Sequence, residues 1–262
     1  MMGTATETAV DWQAWLRRWD AQQTGYLPDR EERFAAMFDV LGVLLPRAFL
    51  ALDLCCGPGS LSARLLARFP QARCIAADKD PALLAMGEGA LGDFGGRLRW
   101  VDTDLLTAEW ADRIGGAQVD AVLSTTALHW LTSDQLARVY GRLGQLIRPG
   151  GVFLNGDHIK FGPHVPHFRR VADAVKQARR ESPHERQGVE KWDDWWTALA
   201  QEPGAAEVLA ERERRFADRT REGTNPGFDF QVGALREAGF GEVDVIWQNL
   251  DNRVLVAIRP AA

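Results

Sequence analysis

The chain is short of cysteine, of positive charge and of long hydrophobic runs, and each shortage removes a class of explanation. Its 262 residues include three cysteines, Cys55, Cys56 and Cys74. Two are adjacent, which is poor geometry for a disulfide, and the set lacks the paired spacing of a zinc knuckle. Neither a disulfide framework nor a structural zinc is expected, and a reducing, cytoplasmic setting fits. The first ten residues have no basic stretch followed by an apolar core, and no uninterrupted apolar span reaches membrane length. No membrane partner is expected. The formal net charge of -5 argues against nucleic acid, because affinity for polyphosphate comes mainly from clustered Lys and Arg. The basic pairs Arg169-Arg170 and Arg179-Arg180 have acidic neighbours and read as solvated helix faces. No internal repeat or low-complexity tract occurs, and oligomeric state leaves no signature.

What is present is an alternation of strand and helix patterns around one glycine-bearing turn. Ala51-Leu-Asp-Leu-Cys-Cys-Gly-Pro-Gly59 is an apolar strand that passes through Asp53 into a turn on Gly57 and Gly59. Lacking Cβ atoms, these glycines let the chain turn sharply and let a ligand approach the peptide units. The spacing predicts strands over 48–54, 72–77, 98–101, 119–124 and 152–154, with helices between them. Asp80-Pro81 and Thr132 or Ser133 mark helix starts, and Asp29 is placed to cap a helix bearing Phe34, Met37, Phe38 and Leu41 on one face. Two β-rich runs, 243–247 and 253–258, are close enough for a hairpin. The pattern therefore predicts an α/β fold: a doubly wound, mostly parallel sheet with an antiparallel C-terminal edge. A single domain is expected, with a helical cap over 1–47, a core over 48–157 and 226–262, and a helical lid inserted at 158–225.

In open α/β sheets, ligands bind beyond the carboxyl ends of the strands. Strand one delivers Asp53 and the glycine turn there, strand two Asp78, strand three Asp102 and Asp104, and strand four Ser124, Thr125 and Thr126. An acid ending strand two can accept from a ribose diol, and one after strand three can accept from an adenine amino group. Here the chain resembles the class I S-adenosylmethionine-dependent methyltransferases, through residues 51–59, Ala76-Ala-Asp-Lys-Asp-Pro81, Trp100-Val-Asp-Thr-Asp-Leu105 and Leu146-Ile-Arg-Pro-Gly-Gly151. The resemblance implies a Rossmann-like seven-stranded sheet and S-adenosyl-L-methionine as cofactor. It implies contacts from Gly57 and Gly59 near the methionine part, from Asp78 at the ribose, from Asp104 and Leu105 at the adenine, and from Ser124 on the strand-four side, with Asp53, Cys55 and Lys79 also among the cofactor-binding residues. Cys55 stands where that family usually has its first glycine. A dinucleotide dehydrogenase is the rival enzyme, but its fingerprint wants a glycine where Ser62 stands. A catalytically silent cofactor-binding fold is the non-enzymatic alternative.

For the acceptor, Ala127-Leu-His-Trp130 follows strand four and is similar to His-Trp and Gln-Trp pairs in small-molecule methyltransferases of the trans-aconitate and malonyl-carrier type. His129 could act as a base or bond the acceptor, with Trp130 as an apolar wall; both could equally be structural. His158, expected just past strand five, is the preferred base, with His164 and His167 nearby but poorly spaced for a metal. Trp19, Tyr26 and the insertion's Trp192, Trp195 and Trp196 could line a pocket for an apolar acceptor or belong to the core. Arg30 or Arg33 could meet a carboxylate, the ordinary reading being a surface position. These residues together point to methyl transfer onto an oxygen of a small molecule, carboxylate or hydroxyl, with no metal.

Overall fold

The computed structural model describes residues 10–116, 118–186, 189–217 and 226–262, and only the backbone of 180–186. The first nine residues, Arg180's side chain and the stretches 187–188 and 218–225 of the expected insertion lie outside the described residues. Seven strands form one sheet in the order β3-β2-β1-β4-β5-β7-β6. They are β1 (Leu50–Leu54), β2 (Arg73–Asp78), β3 (Leu98–Asp102), β4 (Val119–Thr125), β5 (Ile147–His158), β6 (Glu242–Asn249) and β7 (Asn252–Ile258). Only β7 runs against its neighbours, pairing antiparallel with β5 and β6. The expected architecture is therefore observed. Strands β1, β2 and β4 are covered on both faces, which is why they read as near-continuous apolar runs rather than as alternations.

One face of the sheet is packed by α2 (Arg30–Leu44) and α3 (Ser60–Arg68), the other by α6 (Ser133–Leu146) and α10 (Phe228–Glu237). Local signals fix several starts. Asp80 accepts the N–H groups of Ala82 and Leu83 at the head of α4 (Pro81–Leu91), and Thr132 and Gln135 close a reciprocal capping box on α6. Asp29 differs: its side chain does not cap α2 but accepts from Asn249 at 2.7 Å and Arg179 at 3.3 Å. The closing hairpin is tighter than expected. Asn249 pairs with Asn252, leaving a turn of Leu250 and Asp251 with Leu250 in the left-handed region at φ 55°.

Strand β5 is longer than expected because it pairs with β4 as far as Gly156 and with β7 as far as His158. That corrects the placement of His158, which is the strand's last residue rather than part of a following loop. After β5 come α7 (Pro166–Arg186), α8 (Trp192–Leu199) and α9 (Ala206–Phe216). Helix α8 meets α1 (Trp12–Tyr26) in a third apolar cluster, where Trp15, Trp19 and Trp195 pack on Leu83 and Met86 of α4. Helix α9 contributes no buried residue.

Candidate active site

The strand ends gather two groups of residues. In the first, β1 hands the chain to Cys55, Gly57 and Gly59, all with positive φ (59°, 54° and 77°). Cys55 thus takes the left-handed conformation that glycine adopts without cost. The two glycines serve different ends. A Cβ on Gly57 would meet only Leu83 at an ordinary 3.8 Å, whereas one on Gly59 would lie 2.5 Å from the Trp100 indole. Gly59 is therefore required by the β3 tryptophan beneath the loop as well as by its backbone angle. Asp53 is fully buried; its Oδ2 accepts from the Ser62 N–H and hydroxyl, and its Oδ1 has no partner among the described residues. Burial pushes its carboxyl up to about 7, against the pull of those Ser62 bonds.

Asp78 accepts three backbone N–H groups, from Gly57 at 2.8 Å, Lys79 at 2.7 Å and Asp80 at 2.8 Å. A carboxylate has about four lone-pair sites, so roughly one remains for a further donor, one hydroxyl fewer than a full diol. Burial raises Asp78 to about 6, with these N–H donors opposing. Lys79 Nζ bonds Asp104 Oδ2 at 3.0 Å, and Leu105 packs half-buried beside the β3 end. Ser124 is buried, and its hydroxyl donates to the Leu54 carbonyl at 2.8 Å, so it ties β4 to β1.

The second group lies at the ends of β4, β5 and β7 and centres on Asp157, which the sequence reading passed over. Asp157 accepts the backbone N–H of His129 at 3.1 Å and of His158 at 2.7 Å, and its Oδ1 lies 2.8 Å from His129 Nδ1. Burial opposes its ionisation, but the His129 imidazole and the Arg33 guanidinium hold it below the usual carboxylate range. An ionised carboxylate only accepts, so Nδ1 of His129 carries a proton toward Asp157 and Nε2 is the ring nitrogen on the other side. His158 is held less closely, 3.5 Å from Asp251. The shorter histidine–carboxylate pair is thus His129–Asp157.

Arg30 and Arg33 are not surface residues: both are buried, because each finds polar partners inside. Arg30 bonds Asp20 at 2.9 Å, and Asp20 also accepts from Ser60 and Arg64 beside the glycine turn. Arg33 donates to Asn252 at 3.1 Å, to Thr126 at 2.6 Å and to Thr125. Burial lowers it to about 10, with Asp157 opposing. Thr126 is itself left-handed, at φ 56°. Trp130 stacks on His129 at 4.8 Å but is 41% exposed, so it forms an outer wall. Tyr26 accepts from the Trp192 N–H at 2.9 Å and, with His158 and Asn252, lines a cavity of about 40 Å³, room for little more than a water. Trp19 faces other indoles, 5.2 Å from Trp195 and 5.5 Å from Trp192, which gives it packing partners rather than a cavity. His164 lies against Gly162. Among the described residues no three His, Cys, Asp or Glu side chains gather as a metal site.

The profile of a family described as "Methyltransferase domain" matches residues 51–151, the stretch that runs from β1 into β5. The solved structure of an O-methyltransferase family protein from Burkholderia thailandensis has the same fold, with a TM-score of 0.59 at 18% identity over 98% of this chain and 66% of that one. So does Streptomyces venezuelae DesVI, at 0.59 and 16% over 97% and 100%. Residues 51–151 are thus similar to a methyltransferase domain, set in a fold that a solved O-methyltransferase family protein shares. Among curated relatives, trans-aconitate 2-methyltransferase of Azoarcus sp. (strain BH72) is 36% identical over 135 residues, 51% of this chain and 48% of that protein. An uncharacterized methyltransferase of Mycobacterium tuberculosis (strain ATCC 25618 / H37Rv) is 37% identical over 100 residues, 38% of this chain and 46% of its own length. The chain thus spans about half the length of the curated relatives it matches.

The first group fits S-adenosylmethionine. The left-handed turn exposes backbone, Asp53 Oδ1 is an orphaned buried acceptor, and Asp78 keeps lone-pair capacity.

Proposed function

We propose that the protein transfers the methyl group of S-adenosylmethionine to an oxygen of a small molecule, and that it does so as one domain whose residues 158–225 are an insertion into the core. The observation that carries this reading is the His129–Asp157 dyad directly after β4. When bound, the cofactor supplies a methyl on a sulfonium, open to in-line attack. The protein's part is then alignment and proton control. For a hydroxyl acceptor, neutral His129 takes the proton at Nε2 while Asp157 holds the ring and stabilises the imidazolium. For a carboxylate acceptor no proton need leave, and protonated His129 donates from Nε2 to hold it. The name of the Azoarcus relative favours a carboxylate. Asp78 serves the ribose, Asp104, Leu105 and Lys79 the adenine side, and Asp53 with the Cys55–Gly59 turn the methionine part. Trp130 and Tyr26 are walls of the acceptor space. A small substrate in a reducing, cytoplasmic setting, with no nucleic acid, agrees with the acidic chain and its three free thiols.

The test is titration calorimetry with S-adenosylmethionine followed by release of S-adenosylhomocysteine over a panel of carboxylic acids, phenols and alcohols. Binding with turnover of a carboxylate or hydroxyl supports the reading. No binding at high micromolar cofactor rejects it, and binding without turnover on any member favours the silent cofactor-binding alternative.

A further inference from the structure

Helix α9 sits over the two acid-bearing loops with no buried residue of its own. Val208 and Leu209 rest half-buried against the tryptophan cluster, and the remaining hold is by charge. Arg212 Nε donates to Asp80 at 2.7 Å, and the same guanidinium lies 3.7 Å over the Trp196 ring. One turn later Arg215 grips Asp102 with two parallel bonds, at 2.7 and 2.8 Å, and also donates to the Lys79 carbonyl at 3.0 Å. Lys79 in turn reaches Asp104 and lies 4.9 Å from the Phe216 ring. One face of α9 therefore touches the loop after β2, residues 78–80, and the β3 end, residues 102–104. Apart from α9 these ends are joined by the β2–β3 ladder, which pairs Asp78 with Asp102, by the Thr103 N–H to Asp78 carbonyl bond at 2.9 Å and by the Lys79–Asp104 pair.

We propose that Arg212 and Arg215 are positioning residues for the adenosine half of the cofactor: through Asp80, Asp102 and the Lys79 carbonyl they set the spacing between Asp78 and Asp104. The role rests on the cofactor reading above. A planar, bidentate guanidinium fixes both distance and orientation of its carboxylate, which a lysine does not. Arg215 and Asp102 are partly exposed, so that pair is screened by salt and opens at low cost, while the Arg212–Asp80 pair is more enclosed. Whatever binds the aligned loops strengthens the hold of α9, and α9 strengthens binding in equal measure. Cofactor exchange then requires α9 to lift.

S-adenosylhomocysteine serves as the probe, with calorimetry and stopped-flow tryptophan fluorescence at 50 and 500 mM NaCl. Arg212→Gln/Arg215→Gln should weaken binding roughly 5- to 30-fold, mostly through a faster off-rate. The off-rate of the wild type should rise with salt, and that of the double variant should be nearly flat. Arg212→Lys should restore most of the affinity and Arg215→Lys little. Without ligand, hydrogen exchange in 78–80 and 102–104 should quicken in the double variant while the rest of the sheet stays protected. If the double variant does not fold, Arg215→Gln alone carries the same reading. A double variant within twofold of wild type in affinity, off-rate and salt dependence overturns the positioning role alone. A wild type that fails to bind overturns the cofactor reading and this role with it.

Discussion

The two ends of the site use the same side-chain types in opposite ways. At the β4–β5–β7 end, Arg33 and Asp157 are sealed from solvent, and their partners are hydroxyls, an amide and an imidazole. At the β2–β3 end, Arg215 and Asp102 are 31% and 48% exposed and pair directly. Buried charge is costly to move and therefore preorganised, whereas exposed charge is weakly held and exchanges. Under the proposed function, the chemistry belongs to the rigid end and the traffic of a large cofactor to the loose one.

The sharpest attempt to break that contrast is Asp157→Ala, which strips Arg33 and His129 of their carboxylate. It should cost about 3–5 kcal/mol of stability by denaturant unfolding, because a buried charge loses its counterpart. A loss below about 1 kcal/mol would put this end in the same class as a surface pair. Next in size is His129→Ala: turnover should fall by roughly 100-fold or more in a single-turnover assay with a hydroxyl acceptor, at unchanged cofactor affinity. Asp78→Ala should weaken cofactor binding by about 1–3 kcal/mol in calorimetry.

The pH dependence distinguishes the ends further. Asp53 and Asp78 bind their protons more tightly folded than unfolded, since both carboxyls are raised from 3.8, to about 7 and about 6. Their contribution to ligand-free stability is whole below pH ~4 and is lost as pH rises through those values. Ligand binding runs the other way: as a proton acceptor Asp78 must be ionised, so affinity should fall as pH drops below about 6. A flat affinity between pH 5 and 8 would reject Asp78 as the ribose acceptor. The smallest effect is expected of His158→Gln, less than about threefold in turnover, because its carboxylate lies at 3.5 Å and Asp157 already serves His129.

The sequence announced the loose end more clearly than the rigid one. Asp53, Asp78 and Asp104 stand at or just past the ends of predicted strands, where local rules apply, and Asp80 and Thr132 cap the helices they appeared to cap. Arg33 was illegible because a basic residue just after Glu31 and Glu32 has the pattern of a solvated first turn; its burial depends on Thr125, Thr126 and Asn252, far away in sequence. Asp157 left one usable trace, an acid three residues past the apolar run Val152–Leu154. Trp19 went the other way: aromatic spacing identified a buried face but not what covers it, which is α8. Nor could the arginines of α9 be told from any charged helix without knowing which loops lie beneath.

The order of the strands also sets a schedule. β7 enters between β5 and β6, and its first residue, Asn252, holds Arg33 across a separation of 219 residues. The glycine turn and its acids belong to a nearly contiguous early segment, free to organise while later residues are still being made. The Arg33 network has no such freedom: until β7 docks, a guanidinium in α2 lacks its amide partner and β5 has a bare edge. The half of the molecule proposed to bind cofactor is thus assembled early, and the half proposed for chemistry is finished last.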